Sequence, residues 1–355
     1  MYETAAWAKT SKESEFKKIN IQRNLPGPKD VTFDVLYCGI CHTDLHFAND
    51  ELGLTSYPVV PGHELAGVVT SVGTDVTSIK VGDNVGMGAI VDCCGSCIQC
   101  TEGEENYCTK GFTLAFNYPI VHGGLKSHTG YTLGGYCQTM TVNEKFIVKI
   151  PENYPLEAAG PIFCAGVTMY SPLAHWNALA GGKKVGIVGI GGLGQMGIRL
   201  AKAMGNEVTA ISTSPAKKND ALAIGADTFI VSVDSESLAS AENSLDLILN
   251  TTSVPIEISI YLTMLRKDGS FVQLGNVTSS NNIDQLPFIM KRISLSGSFA
   301  GGTLDTQKCM DFCAKHNIIP STKLVKAHQI NEVYETLQEK NDQIIRYVLD
   351  IKASL

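Results

Sequence analysis

The stretch VGIVGIGGLGQMGIRLAKAMG restricts what this chain can fold into more than any other segment. Gly189, Gly191 and Gly194 stand in G-x-G-x-x-G spacing, after the apolar run KKVGIVGI and before a helical pattern that ends at Gly205. Spacing alone is weak, because glycines mark many tight turns. Between a strand and a helix it has a mechanism. Gly189 permits the turn, Gly191 lets backbone N–H groups approach a pyrophosphate, and Gly194 allows close helix–strand packing. The helix N-terminus adds unpaired donors and a partial positive charge. The loop, with Ile190, Gly192 and Leu193 between those glycines, therefore predicts a nucleotide-binding βαβ unit.

The surroundings agree. From about residue 166, apolar strands alternate with helical segments through EVTAIS, KKNDALAIGA, DTFIVS, LDLILNTT, a helix near 256–267, GSFVQLG and ISLSGSF. Six strands in this arrangement predict a doubly wound parallel sheet, and their near-continuous Val, Ile and Leu suits strands buried on both faces. Before residue 150 the texture differs. VTFDVLYCG, ELAGVVTSVG, VGDNVGMGAI and KFIVKIP are short β-type runs broken by glycine and proline, which predict a β-barrel or sandwich core. The tail from about 305 carries two helical patterns and the strand-like IIRYVLDI. A chain of 355 residues is long for one core and predicts two domains.

The second strand of the parallel sheet selects the nucleotide. An NAD site usually places Asp or Glu about 20 residues beyond the loop, on the ribose 2′-OH. Here that place is Ser212, followed by Thr213, Ser214, Lys217 and Lys218. Hydroxyls and ammonium groups suit a 2′-phosphate, so NADP(H) is the expected cofactor; the plainer reading is a solvated helix start with two surface lysines. The net charge of −7 excludes a basic nucleic-acid footprint. The start has no apolar signal region, and no apolar run is long enough to span a bilayer. A cytoplasmic chain with reduced thiols is the expectation.

Five of the 11 cysteines crowd into DCCGSCIQCTEGEENYC. Cys94, Cys97, Cys100 and Cys108 give C-x2-C-x2-C-x7-C, with Cys94 preferred over Cys93 by spacing. Four thiolates close a tetrahedral zinc site and leave no position for a reactant, so this lobe is expected to be structural. Chemistry must lie elsewhere. CGICHTDLH, PGHELAGVV and PIFCAGVTMYSP hold further Cys, His and acidic residues. Taken singly, each has an ordinary reading as a buried thiol, a core histidine or a charged loop, and spacing alone does not bring them together.

In this order, CGICHTDLH, PGHELAGVV, the four-cysteine lobe, FCAGVTMYSPL and GIGGLG resemble the zinc-dependent medium-chain alcohol dehydrogenases, most of all their cinnamyl alcohol dehydrogenase branch. The resemblance covers almost the whole chain. It implies a GroES-like β-rich catalytic domain over 1–165 with both zinc sites, a Rossmann domain over 166–301, and a return to the catalytic domain over 302–355. It implies that Cys41, His63 and Cys164 bind the catalytic zinc, with Glu64 able to enter the shell when solvent or substrate leaves. It also implies that Thr43 touches the reacting oxygen, His46 ends a proton relay, His42 contacts the pyrophosphate, and Asp44 orients the metal site. For the cofactor it carries over Thr168, Gly189–Gly194, Ser212–Lys217, Thr251, Gly275, Ser298, Phe299 and Ala300. The implied activity is reversible oxidation of primary alcohols to aldehydes with NADP(H), hydride passing between substrate carbon and nicotinamide. ISLSGSFAGG resembles the family's dimer edge and implies a homodimer.

The loop TKGFTLAFNYPIVHGGLKSHTG departs from the branch in lacking its usual tryptophan; Phe112, Phe116 and Tyr118 are the aromatics present, and His122 and His128 read as solvated. Aromatic or medium-chain aldehydes are therefore the expected class. Three other readings compete. A polyol or secondary-alcohol dehydrogenase often has Glu at the place of Cys164, a non-catalytic NADPH-binding protein would carry one zinc, and a nucleic-acid zinc finger conflicts with the acidic balance.

Overall fold

The computed structural model describes residues 1–122, 129–277, 283–339 and 343–354; His128 lies outside them. The chain divides into two compact units. One comprises Met1–Cys164 with most of the chain beyond Gly301, and the other comprises Ala165–Ala300 with a short return segment.

The first unit is built on a seven-stranded sheet. Its centre is the ten-residue strand Asp30–Gly39, paired antiparallel with Leu65–Val72, Thr139–Asn143 and the tail strand Arg346–Asp350. Val31, Phe33 and Val35, on one face of the strand, are buried and anchor it to the core. VGDNVGMGAI divides into Asn84–Met87, in the main sheet, and Ile90–Cys93, which pairs with Phe112–Leu114 in a small sheet of its own. KFIVKIP contributes only the two-residue strand Val148–Lys149 after a 3-10 turn. Several strands escaped the sequence reading. Tyr2–Ala8 pairs with Lys17–Arg23 as a hairpin, and Thr322–Lys326 extends the main sheet parallel to the tail strand.

Register brings distant segments of this unit together. Cys38 sits opposite both Leu65 and Leu349. Glu64 and Arg346, each a short step from those positions, are thereby drawn to one end of the central strand. Gly39 is the residue that can lie there: a Cβ on it would stand 1.9 Å from the Glu64 carboxylate.

The second unit holds six parallel strands in the order Thr228–Val231, Glu207–Ser212, Lys184–Val188, Leu245–Asn250, Leu265–Gln273, Ser294–Gly297. This is the 3-2-1-4-5-6 winding of a dinucleotide fold. The helix Gly192–Ala203 follows the first strand and packs beside Ala165–His175 so closely that a Cβ on Gly197 would meet Met169 at 2.3 Å. The helix stops where Gly205 takes φ +84°, a left-handed position that glycine adopts without strain. The segment expected to be helical over 256–267 is shorter, Ile258–Met264, because Leu265 already opens the next strand.

Candidate functional site

Two thiol-rich clusters occur among the described residues, both in the first unit. In the lobe, sulfur–sulfur distances are 3.9 Å for Cys94–Cys100, 3.4 Å for Cys97–Cys100 and 3.9 Å for Cys97–Cys108. A zinc tetrahedron with Zn–S bonds of about 2.3 Å has edges of about 3.8 Å, so the four sulfurs are spaced to share one ion and leave no corner free. Backbone N–H groups of Ser96 and Cys97 hold the Cys94 thiol down at about 5, and those of Cys100 and Thr109 hold Cys97 at about 7. Both are primed as thiolates, whereas burial pushes Cys100 up. Cys93 stands outside this group, buried at a strand end with its sulfur 3.9 Å from Lys145 Nζ. The lobe is tied to its unit through Glu105, whose buried carboxylate pairs with Lys145 at 3.2 Å and accepts the Thr303 backbone N–H at 2.9 Å.

The second cluster unites Cys41, His63, Glu64 and Cys164, whose ligand atoms lie within 4.8 Å of one another. His63 Nε2 is 3.3 Å from Cys164 Sγ, which is 3.9 Å from Cys41 Sγ. Tetrahedral edges for zinc are about 3.5 Å for N–S and about 3.8 Å for S–S. The donor set and its spacing therefore fit zinc, with two sulfurs and one nitrogen as strong ligands and the Glu64 carboxylate beside them.

Asp44 organises this geometry from behind. It lies in the first turn of the helix His42–Ala48, is fully buried, and accepts the Cys41 backbone N–H at 2.8 Å. Its other oxygen accepts the Gly62 N–H at 2.9 Å and faces His63 Nδ1 at 3.1 Å. One carboxylate thus fixes two ligand-bearing segments and leaves Nε2 to face the metal position. Burial pushes His63 down, but Asp44 outweighs it and the imidazole sits well above its usual range. Phe116 stacks on the His63 ring with centroids 5.7 Å apart and meets Phe47 edge-on. This aromatic is thus committed to the ligand, while Phe112 stacks on Tyr118. His122 is half-buried, with Nε2 2.7 Å from the Gly111 carbonyl oxygen.

Glu64 is held. Arg346 Nη2 donates to Oε1 at 2.6 Å and Nε to Oε2 at 3.2 Å, with both side chains nearly or wholly buried. Burial raises the Glu64 carboxyl despite the guanidinium beside it. Arg346 Nη2 also lies 3.7 Å from Cys164 Sγ. The hydrogen bond to Cys164, together with Arg346 and His63, draws Cys41 well below the usual thiol range; the same bond raises Cys164. Sequence reasoning missed Arg346, though a lone cation inside IIRYVLDI was the available sign. It also missed Glu51, whose Oε2 is 2.6 Å from His46 Nδ1. Thr43 Oγ1 lies 3.7 Å from Cys41 Sγ, and His42 opens the same helix, exposed.

The nucleotide residues belong to the second unit. Gly189 has φ +84°, and a Cβ there would meet Thr251 Oγ1 at 2.7 Å. A Cβ on Gly194 would stand 2.0 Å from the Gly189 carbonyl, whereas one on Gly191 would meet nothing within 4 Å. Only Gly191 faces open space, the cradle a pyrophosphate requires. Ser212, at the end of its strand, accepts the Ser214 N–H at 3.2 Å, and Lys217 Nζ reaches the Ile190 carbonyl at 2.9 Å. No carboxylate occupies the Ser212 position, and a lysine borders the loop, so the residues fit a 2′-phosphorylated nucleotide. Thr251 Oγ1 bonds the carbonyls of Val188 and Gly189. Gly275 follows the fifth strand of the sheet, and Ser298, Phe299 and Ala300 follow the edge strand, where the Ser298 N–H bonds Gln273. Thr168 lies apart from these loops in sequence, on the helix Ala165–His175.

Comparison with known proteins agrees with this geometry. Residues 27–152 match the family model of the alcohol dehydrogenase GroES-like domain, and residues 192–315 match that of the zinc-binding dehydrogenases. NADP-dependent alcohol dehydrogenase C 1 of Mycolicibacterium smegmatis is 43% identical over 350 residues, covering 99% of this chain and 98% of the relative. A cinnamyl alcohol dehydrogenase structure from Sorghum bicolor superposes with a TM-score of 0.94 at 38% identity, over 100% of this chain and 99% of that one. The Helicobacter pylori CAD complexed with NADP(H) gives a TM-score of 0.91 at 34% identity, over 99% of each chain. The chain belongs to the zinc-dependent medium-chain alcohol dehydrogenase family, in its cinnamyl alcohol dehydrogenase-like branch.

Proposed function

We propose that Cys41, His63 and Cys164 form the catalytic metal site of an NADP(H)-linked dehydrogenase that interconverts primary alcohols and aldehydes. The observation that carries this reading is the convergence of two sulfurs and one imidazole nitrogen, from three segments far apart in sequence, at zinc-like spacing. When bound, zinc would supply Lewis acidity toward the substrate oxygen, and nicotinamide would supply the hydride acceptor or donor.

The chain's own residues do the rest. Asp44 holds His63 in the tautomer that presents Nε2, and keeps Cys41 in register with it. Arg346 balances the negative charge of two sulfurs and Glu64, and restrains Glu64 at the rim of the ligand set. Thr43 exchanges the substrate hydroxyl proton, and His46, part-exposed and paired with Glu51, passes it to solvent. Gly191 and the helix behind it receive the pyrophosphate, and Ser212, Ser214 and Lys217 receive the 2′-phosphate. The four-cysteine lobe has no open corner and serves stability. Aromatic and medium-chain aldehydes are the substrate class we favour, as relatives are named for cinnamyl alcohol and for aldehyde reduction.

No helix among the described residues is long and apolar enough to cross a membrane. A cytoplasmic setting suits the two thiolate clusters. A homodimer through the edge strand Ser294–Gly297 suits the short helix Leu286–Lys291 beside it, which exposes Leu286, Ile289 and Met290. Metal analysis combined with Cys164→Ala tests the central reading. Two zinc ions per chain, with turnover abolished and NADPH binding retained in the variant, are expected; one zinc per chain, or substantial residual turnover, would refute it.

A further inference from the structure

At the carboxyl end of the parallel sheet, Val188, Asn250, Gln273 and Gly297 lie in one row across four strands. Two of them carry carboxamides that the nucleotide motif does not include. Asn250 is 0% exposed, a costly place for an amide unless every polar atom is paired. Its Oδ1 accepts both the backbone N–H and the hydroxyl of Thr252, at 3.2 and 2.9 Å. Its Nδ2 donates to Gln273 Oε1 at 2.8 Å, and Gln273 Nε2 donates onward to the Gly275 carbonyl at 2.7 Å. The Asn250 carbonyl accepts from Leu274 and Gly275, and the backbone of Gly275 lies so close to Thr252 that a Cβ there would stand 2.0 Å from its carbonyl oxygen.

These bonds join the loop after the fourth strand of the sheet order to the loop after the fifth. The first of those loops also carries Thr251, whose hydroxyl fixes the carbonyls of Val188 and Gly189. A dinucleotide bound outside the carboxyl ends spans the point where strand order reverses. With Ser212 on one side of the glycine loop receiving the 2′-phosphate, the nicotinamide half must fall on the other side, over these two loops.

We propose that Asn250 and Gln273 are positioning residues for the nicotinamide half of NADP(H): their paired amides clamp the Thr251 and Gly275 loops into one surface before the cofactor arrives. This rests on the cofactor reading above. A clamp of this kind acts on half of the ligand, which separates it from a general role in stability. The adenosine half, bound through Ser212 and Lys217, should not sense it.

The test is calorimetric titration of the zinc-loaded full chain with NADP+ and with 2′,5′-ADP, which has the 2′-phosphate but no nicotinamide. Gln273→Leu removes the acceptor and donor of the clamp together, and loss of one such paired amide should weaken NADP+ roughly tenfold. Affinity for 2′,5′-ADP should stay within about twofold of the parent. Equal weakening of both ligands, or no change in NADP+, would overturn the proposal. Failure of the parent protein itself to bind 2′,5′-ADP would instead strike the cofactor reading on which it stands. Should Gln273→Leu not fold, Asn250→Ser carries the same test, since it keeps a short hydroxyl beside Thr252 and is too short to reach Gln273 as the amide does. Restoration of NADP+ affinity by Gln273→Met, which has similar bulk and no amide, would show packing rather than hydrogen bonding at work and would equally overturn the proposal.

Discussion

Alanine substitutions at Gly191 and Gly194 separate folding from cofactor binding within a single turn of chain. At Gly194 the new methyl would lie 2.0 Å from the backbone oxygen of Gly189. That oxygen belongs to the strand-to-helix turn and cannot yield by rotamer change, so the helix Gly192–Ala203 must lift by about 1 Å, an overpacking that costs about 1–3 kcal/mol. The upper part of this range applies to a rigid backbone neighbour, and the better helix propensity of alanine returns up to about 1 kcal/mol. The net is about 2 kcal/mol, or a fall of roughly 4–8 °C in the Tm of a unit this size. At Gly191 the methyl meets nothing within 4 Å and φ is −123°, open to any residue. Losing glycine at the helix N-cap costs only about 1 kcal/mol or less. The methyl does fill the space in which a pyrophosphate would meet the loop N–H groups, and losing one or two charge-assisted bonds weakens NADPH by roughly 10- to 1000-fold. Calorimetric melting of the cofactor-free protein and a nucleotide fluorescence titration measure the two effects. A Gly191→Ala variant that melts as early as Gly194→Ala, or that binds NADPH like the parent, would refute this division.

Three further outcomes are expected. Cys97→Ser should leave one zinc per chain and lower the Tm while NADPH affinity holds, because the lobe belongs to the first unit and the nucleotide residues to the second; a variant with two zinc ions and unchanged melting would contradict it. Ser212→Asp should shift preference from NADP toward NAD by placing a carboxylate where the 2′-phosphate would lie, as the ratio of kcat/KM values reports; an unchanged ratio counts against the assignment. Asp44→Ala, which removes the acceptor of His63 Nδ1, should raise zinc loss to a chelator from the Cys41 site by about 10- to 100-fold, the usual effect of a lost partner to a ligating histidine. Loss from the four-cysteine lobe should stay at the parent rate, and slower or equal loss from the Cys41 site would show that Asp44 does not position His63.

Much of this protein is legible in order along the chain. The glycine loop announces a parallel sheet because its three positions impose three local demands, namely a positive φ at Gly189, an open face at Gly191 and contact at Gly194, and each can be met only between a strand and a helix. The grouping of the four lobe cysteines is equally legible, since short spacings keep their sulfurs together in one loop. The place of Ser212 at a strand end could be counted from the glycine loop.

The rest required the fold. Cys164 lies 101 positions after His63 and 123 after Cys41, and only the folded first unit brings the three to one point. Arg346 is invisible as a partner of Glu64, 282 positions earlier, until the tail strand adds to that sheet. Phe116 is one of three loop aromatics in the linear sequence, and only the fold stacks it against His63. Asn250 and Gln273 look like incidental polar residues in apolar strands, and the parallel register alone makes them neighbours. The division has one physical origin. Backbone conformation and short-loop chelation depend on neighbours in sequence, so residue order determines them. Ligand convergence, buried charge pairing and amide clamps depend on neighbours in space, which strand register creates.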